Sequence, residues 1–183
     1  MIVFVVPKVG MKKSMPELER LSIEEFKEKK KNNIVILLDG VRSMHNVGST
    51  FRTADAFLIE RIILCGVTPQ PPHRDIHKSA LGATDSVSWS HNKSASDAVI
   101  ELKKQGYKII GVEQTHNSLS LPNFKKAAEE KVVLIFGSEV MGVSDDVLTL
   151  CDQVIEIPQF GTKHSLNISV SVGVVLWELL RPA

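Results

Sequence analysis

Val132-Val133-Leu134-Ile135-Phe136-Gly137-Ser138-Glu139-Val140-Met141-Gly142-Val143-Ser144 is the stretch on which the fold reading turns. Residues 132–136 are apolar without the alternation of a half-solvated strand. An unbroken apolar strand is one covered on both faces, which favours a parallel sheet between layers of helices. A glycine turn and polar residues then follow the strand. Glycine lets backbone N–H and C=O groups approach a ligand closely. Glu139 stands at the lip of the sheet, where its carboxylate either meets water or serves as an acid, a base or an orienting acceptor.

Working outward, the same alternation of short β-branched runs and helical periodicity recurs from Asn33 onward. It predicts further strands over 34–38, 61–65, 86–89, 108–112 and 153–157. Helices are predicted over 47–57, 95–105, 124–129 and 166–180, with a turn over 145–150. The fold class is therefore α/β, a parallel sheet with helices on both faces. Ahead of it, over 14–31, Leu18, Leu21, Ile23 and Phe26 form an apolar stripe, and Ser22-Ile23-Glu24-Glu25 has the form of a capping box. This predicts an amphipathic extension packed on the domain. The segment 66–77 reads as a long polar loop, of the kind that tends to be functional or mobile.

At 183 residues the chain fits a single domain, and 43% hydrophobic with 23% charged residues argues against disorder, fibrous repeats and membrane proteins. The formal charge is +1, yet residues 1–33 carry eight Lys/Arg against five Glu, leaving −2 for the remainder. A basic arm on a near-neutral body suits the steering of a polyanion, although a solvated basic helix has the same composition. Cys65 and Cys151 have no CxxC or Cys/His partner, so buried reduced thiols are expected. The apolar run at residues 1–6 is too short for a spanning helix and precedes its lysines, the wrong order for a signal peptide. A cytoplasmic protein with no membrane association is expected.

Neither GxxxxGK[ST], GxGxxG nor HExxH occurs, and His73 and His77 share one loop without a third ligand, so no metal is expected. Two more stretches repeat the layout of strand end, loop and polar residues. In Leu38-Asp39-Gly40-Val41-Arg42-Ser43-Met44-His45-Asn46-Val47-Gly48-Ser49-Thr50-Phe51-Arg52, the loop lies beyond a strand's carboxyl end, where open α/β sheets bind ligands. Asn46 either caps the next helix or serves a site. Arg52 adjoins the helix's apolar side and calls for a partner or a ligand. In Val154-Ile155-Glu156-Ile157-Pro158-Gln159-Phe160-Gly161-Thr162-Lys163-His164-Ser165-Leu166-Asn167, a polar loop leads into a helix that is apolar nearly all round. Such a helix is expected to be buried against the sheet and a neighbouring chain, with Ser165 and Asn167 at its start.

In this order the three stretches resemble the SpoU/TrmH branch of the SPOUT RNA methyltransferases, over about residues 34–181. The resemblance implies a deep C-terminal trefoil knot, a homodimer paired through knot-region helices, and S-adenosylmethionine as cofactor. The implied activity is methylation of a ribose 2′-hydroxyl in RNA. The implied catalytic residues are Arg52, aided by Asn46, Glu139, Ser165 and Asn167, with Arg52 reaching the partner's pocket. Gly137, Ser138, Ile157, Pro158, Ser165 and Leu166 would line the cofactor pocket, and Val112 and Glu113 would flank the adenosine.

On this reading residues 1–33 are a basic helical extension and 34–183 the knotted methyltransferase domain. RNA contacts then fall to Lys27, Lys30, Arg42, Arg74 and Lys78. Transfer RNA is favoured over ribosomal RNA by analogy with compact relatives. A catalytically silent RNA-binding knot protein and a doubly wound nucleotide-binding or flavodoxin-like module are the competing classes.

Overall fold

Successive side chains of an extended strand point to opposite sides, so a strand buried throughout needs two cores. Ile34, Ile36 and Leu38 join one apolar cluster with Val132, Leu134 and Phe136, while Val35 and Leu37 join a second with Val133 and Ile135. In the computed structural model, which describes residues 10, 12–14 and 16–181, the elements run as follows. They are α1 (Ile23–Glu28), β1 (Asn32–Asp39), α2 (Met44–Ala56), β2 (Ile59–Cys65), α3 (Arg74–Ala80), α4 (Ala83–Ser86), β3 (Trp89–Asn92) and α5 (Ala95–Lys104). Then come β4 (Lys108–Val112), β5 (Leu119–Ser120), β6 (Val132–Gly137), α6 (Asp145–Leu148), β7 (Gln153–Glu156) and α7 (Ile168–Leu180).

The strands form one sheet in the order β3-β2-β1-β6-β4-β7-β5. Every strand pair in it is parallel, as the apolar runs predict. Side chains of α1 to α4 and α7 fill the first cluster, and those of α5 and α6 the second. Register sets the functional edge. Asp39 pairs with both Cys65 and Gly137, and Val112 with both Phe136 and Ile155, so the carboxyl ends of five strands finish side by side. The chain winds outward from β1 through β2 and β3, then crosses to the other half. That reversal leaves a crevice beyond the carboxyl ends near β6.

Several boundaries differ from the sequence reading. The strand predicted over 86–89 is displaced: Ala83–Ser86 is helical, Ser86 donates to Asp55 Oδ2 at 2.5 Å, and the strand begins at Trp89. The helix predicted over 124–129 is absent, replaced by a 3-10 turn at Leu121–Asn123 and an irregular segment in which Phe124 is buried. The loop predicted over 66–77 is shorter, because His73 caps α3 by accepting from the Asp75 N–H. The capping box at Ser22 and Glu25 forms as read. Only Phe26 of the expected stripe is buried, however; Leu21 and Ile23 stay exposed, so one aromatic anchors the extension. Burying one such side chain contributes about 1.5–3 kcal/mol. The apolar run at 1–6 and Lys8 lie outside the described residues. No helix among the described residues is long and apolar enough to cross a membrane.

Helices α2 and α3 meet at Gly48, where an added Cβ would lie 2.1 Å from Ser79 Oγ and 2.3 Å from the Ile76 carbonyl oxygen. Backbone cannot step aside as a flexible side chain can. Gly48→Ala gains up to about 1 kcal/mol of helix propensity, but overpacking costs about 1–3 kcal/mol. A lower urea midpoint is expected. A midpoint at or above that of the parent protein would mean the two helices separate freely.

Candidate active site

Ser43, not Asn46, caps α2: its Oγ accepts the Asn46 backbone N–H at 3.3 Å. The Asn46 side chain is thereby free for other partners. Its Nδ2 donates to Glu139 Oε1 at 2.9 Å, and its Oδ1 accepts from Asn167 Nδ2 at 3.1 Å. Glu139 also accepts the N–H groups of Arg42, at 3.2 Å, and Ser43, at 3.4 Å. Asn167 caps α7 through Oδ1, which takes the Ser169 N–H at 2.9 Å and the Ser169 hydroxyl at 2.7 Å. Residues distant in sequence thus form one unbroken polar chain from β6 through α2 to α7. Burial pushes the Glu139 carboxyl up. The hydrogen bonds from Asn46 and from the backbone of Arg42 and Ser43 outweigh it and hold the group below its ordinary range. Glu139 is therefore an orienting anion near neutral pH rather than a proton donor.

The segment after β6 is a tight turn. Ser138 N–H donates to the Gly142 carbonyl at 2.9 Å, Gly142 N–H returns to Ser138 at 3.0 Å, and Ser138 Oγ accepts the Met141 N–H at 3.0 Å. A Cβ on Gly137 would stand 1.8 Å from the Gly142 carbonyl carbon, so only glycine lets the two strands of the turn approach. Gly142 has φ +67° and abuts the Glu113 carboxylate, which accepts the Val143 N–H at 3.1 Å. Glu113 thus braces this turn. Asp39 anchors the next segment by accepting the N–H and hydroxyl of Ser144 at 3.0 and 2.7 Å. Gln114 Nε2 ties the loop after β4 to the His164 carbonyl oxygen at 2.7 Å.

These loops enclose a cavity of about 820 Å³ at the carboxyl edge. Val112, Glu113, Gly137, Ser138, Glu139, Ile157, Ser165, Leu166 and Asn167, all expected there, line it. Pro158 does not; it borders a separate apolar pocket with Leu121, Pro122, Val174 and Trp177. Asn46 stands behind the wall, joined to it through Glu139 and Asn167. Arg52 is exposed on α2, outside the lining, and its side chain makes no hydrogen bond or ion pair among the described residues. Sequence reasoning missed Gln114, His116, Gln159 and His164 in the wall. The placing of Gln114-Thr115-His116 directly after a strand's carboxyl end was the signal for the first two.

Of the candidate RNA contacts, Arg74 and Lys78 flank Asp75 at 3.4 and 3.2 Å and, with Pro72, His73 and His77, line a second cavity of about 500 Å³. Lys27 is exposed on α1, and Lys30 lies 3.6 Å from Glu129. Arg42 is held through its backbone N–H. No group of three or more His, Cys, Asp or Glu that could hold a metal ion occurs among the described residues. Cys65 is buried and Cys151 half-buried, and burial pushes their thiols up to about 12 and about 11.

The depressed Glu139 carboxyl gives a signed expectation. A group with a lowered folded-state pKa adds stability above its unfolded value, about 4.3, and loses it as pH falls through the folded value. Glu139→Gln should therefore be less stable than the parent protein by a constant margin above about pH 5, with the gap closing on acidification. A gap that persists unchanged at pH 3 would place the effect outside the carboxylate's charge.

The chain is similar to known proteins along most of its length. Residues 33–177 match the SpoU rRNA Methylase family. A Staphylococcus aureus protein assigned to the TrmH family of tRNA/rRNA methyltransferases is 31% identical over 87% of this chain. The match spans 63% of that protein's length. Among solved structures, the A. aeolicus TrmH/SpoU tRNA modifying enzyme superposes with a TM-score of 0.76 at 24% identity, over 85% of this chain and 78% of its own. The SpoU methyltransferase AviRb from Streptomyces viridochromogenes, in complex with AdoMet, gives 0.73 at 24% identity, over 83% and 61%. The two structures establish a shared fold, and the family match, which takes in all three stretches joined by the hydrogen bonds among Glu139, Asn46 and Asn167, makes this chain a member of the SpoU family of RNA methylases.

Proposed function

We propose that this protein transfers a methyl group from S-adenosylmethionine to a ribose 2′-hydroxyl of RNA, with transfer RNA as the preferred class. The carrying observation is the convergence of Glu139, Asn46 and Asn167 in one polar chain along a cavity at the sheet's carboxyl edge. Similarity to a tRNA modifying enzyme and to a methyltransferase complexed with AdoMet supports substrate class and cofactor. The same reaction on ribosomal RNA is the second reading, favoured by the family's description.

The residues present fit the cofactor. A cavity of about 820 Å³ is within the usual range for small-ligand sites. Val112, Phe136, Ile157 and Leu166 give it apolar walls for a flat ring, and the turn after Gly137 brings backbone groups close. When bound, the cofactor supplies an electrophilic methyl group. The chain's own residues must then align the ribose oxygen and aid loss of its proton. Glu139 fixes Asn46, which in turn holds Asn167; the Asn167 amide and the Ser165 hydroxyl, both in the lining, orient the incoming ribose. A guanidinium offers hydrogen-bond donors and no acceptor, so Arg52 polarises the hydroxyl or holds a neighbouring phosphate instead of acting as a free base.

A second copy of the chain completes this reading. Val170, Val174 and Trp177, at helical spacing on α7, are 50%, 38% and 59% exposed and form an apolar stripe beside the pocket at Pro158. Pairing through that stripe, and a knotted path for the C-terminal segment, belong to the proposal. In it Arg52 serves the partner's cavity, consistent with its lying outside the cavity of its own chain.

Calorimetric titration should give saturable binding of S-adenosylmethionine, and no binding at millimolar cofactor would sink the reading. Arg52→Ala is expected to keep that binding while turnover falls roughly 10²-fold or more; unchanged turnover removes Arg52 from catalysis. Replacing Lys27 and Lys30 together by glutamine should flatten the dependence of RNA affinity on salt by about one unit of slope per phosphate released. An unchanged slope leaves α1 a packing element.

A further inference from the structure

Phe160 is 97% exposed, and Val140 and Met141 are each 81% exposed; they are the three most exposed large apolar side chains among the described residues. They lie on two loops that border one cavity. Val140 and Met141 line the main cavity from the turn after β6, and Phe160 follows Gln159, which lines it from the loop after β7. Isolated apolar side chains on a surface need no explanation, but apolar lips on the two loops of one cavity do. Phe160 leaves nearly its whole ring in water, so it contributes almost nothing to the stability of the fold.

The chemistry around the ring selects the occupant. No acidic residue occurs between Glu156 and Glu178, and exposed Lys163 and His164 follow Phe160. The loop bearing the ring is thus cationic or neutral, and His164 is anchored through its carbonyl to Gln114. An exposed aromatic ring on a loop that also carries an exposed cation, next in sequence to a residue lining the cavity, suits an unstacked nucleobase, because every base offers a π-face and every nucleotide a phosphate. We infer that Phe160 is a stacking platform for a base at or next to the modified nucleotide, with Lys163 on the adjoining phosphate and Val140-Met141 as the opposite lip. This inference rests on the RNA-methylation reading and makes Phe160 a determinant of RNA affinity rather than of cofactor affinity.

The test compares Phe160→Ala, Phe160→Leu, Phe160→Tyr and Phe160→Trp in the full chain. Affinity for unfractionated transfer RNA and for ribosomal RNA is measured by filter binding, affinity for S-adenosylmethionine by calorimetry, and mass in solution by light scattering. Alanine and leucine should each weaken binding of the preferred RNA roughly 5- to 100-fold, the scale of one base stacked on an aromatic ring. Tyrosine and tryptophan should restore it. Cofactor affinity and mass should not move. Leucine binding as well as phenylalanine would overturn stacking, and so would a parent protein that binds neither RNA. A change in mass with alanine would reassign the ring to contact between copies, and a matching loss of cofactor affinity would reassign it to the pocket wall. Loss of cofactor binding by the parent protein defeats the methyltransferase reading itself, whatever Phe160 does.

Discussion

The Glu139 carboxylate is the junction on which the site depends. It accepts hydrogen bonds from the backbone N–H groups of Arg42 and Ser43 and from Asn46, and so ties the turn after β6 to the start of α2. The β1–β6 ladder ends at Asp39 and Gly137, so beyond it these contacts, with the Asp39–Ser144 hydrogen bonds, hold the two segments together. A carboxylate accepting two backbone N–H groups and an amide stays ionised and directional. Asn46 is thus aimed at Asn167, and α7 is locked to the same edge. One anion thereby organises three segments separated by up to 121 residues.

The turn after β6 shows how backbone chemistry supports that junction. Gly137 admits no side chain, Gly142 adopts a left-handed conformation, and Glu113 and Ser138 cap the N–H groups that the turn leaves over. Two carboxylates from the strand ends on either side of β6, Glu113 and Asp39, hold adjacent residues Val143 and Ser144. Donors that would otherwise be stranded at the crevice are satisfied, which keeps the wall rigid. Rigidity of this kind is what alignment of two reactants requires.

Much of this was legible in the residue order. Unbroken apolar runs at 34–38 and 132–136 predicted a doubly covered parallel sheet, and each run divides between the two cores. The polar residues after three strand ends pointed to the crevice, and Glu139 and Asn167 do meet there. The failures have physical causes. Ser86-Val87-Ser88-Trp89 alternates like a strand, but tertiary contacts through Asp55 keep Ser86 in a short helix. The caps of both site helices stayed open in the sequence, since local spacing does not tell which of Ser43 or Asn46, or of Ser165 or Asn167, turns inward; Ser43 and Asn167 take the role. The exposure of Phe160 had no sequence signature at all, because an apolar residue in a loop reads equally well as buried.

The fold, the cavity and the family membership meet in one chemical claim, a methyl group placed on ribose. Mass-spectrometric mapping of ribose methylation in total RNA, from cells with and without this protein, addresses it directly. The account predicts at least one 2′-O-methyl position, in transfer RNA by preference, that disappears with the protein and returns when it is restored. Identical ribose methylation in both samples, or loss confined to methyl groups on bases, would contradict it.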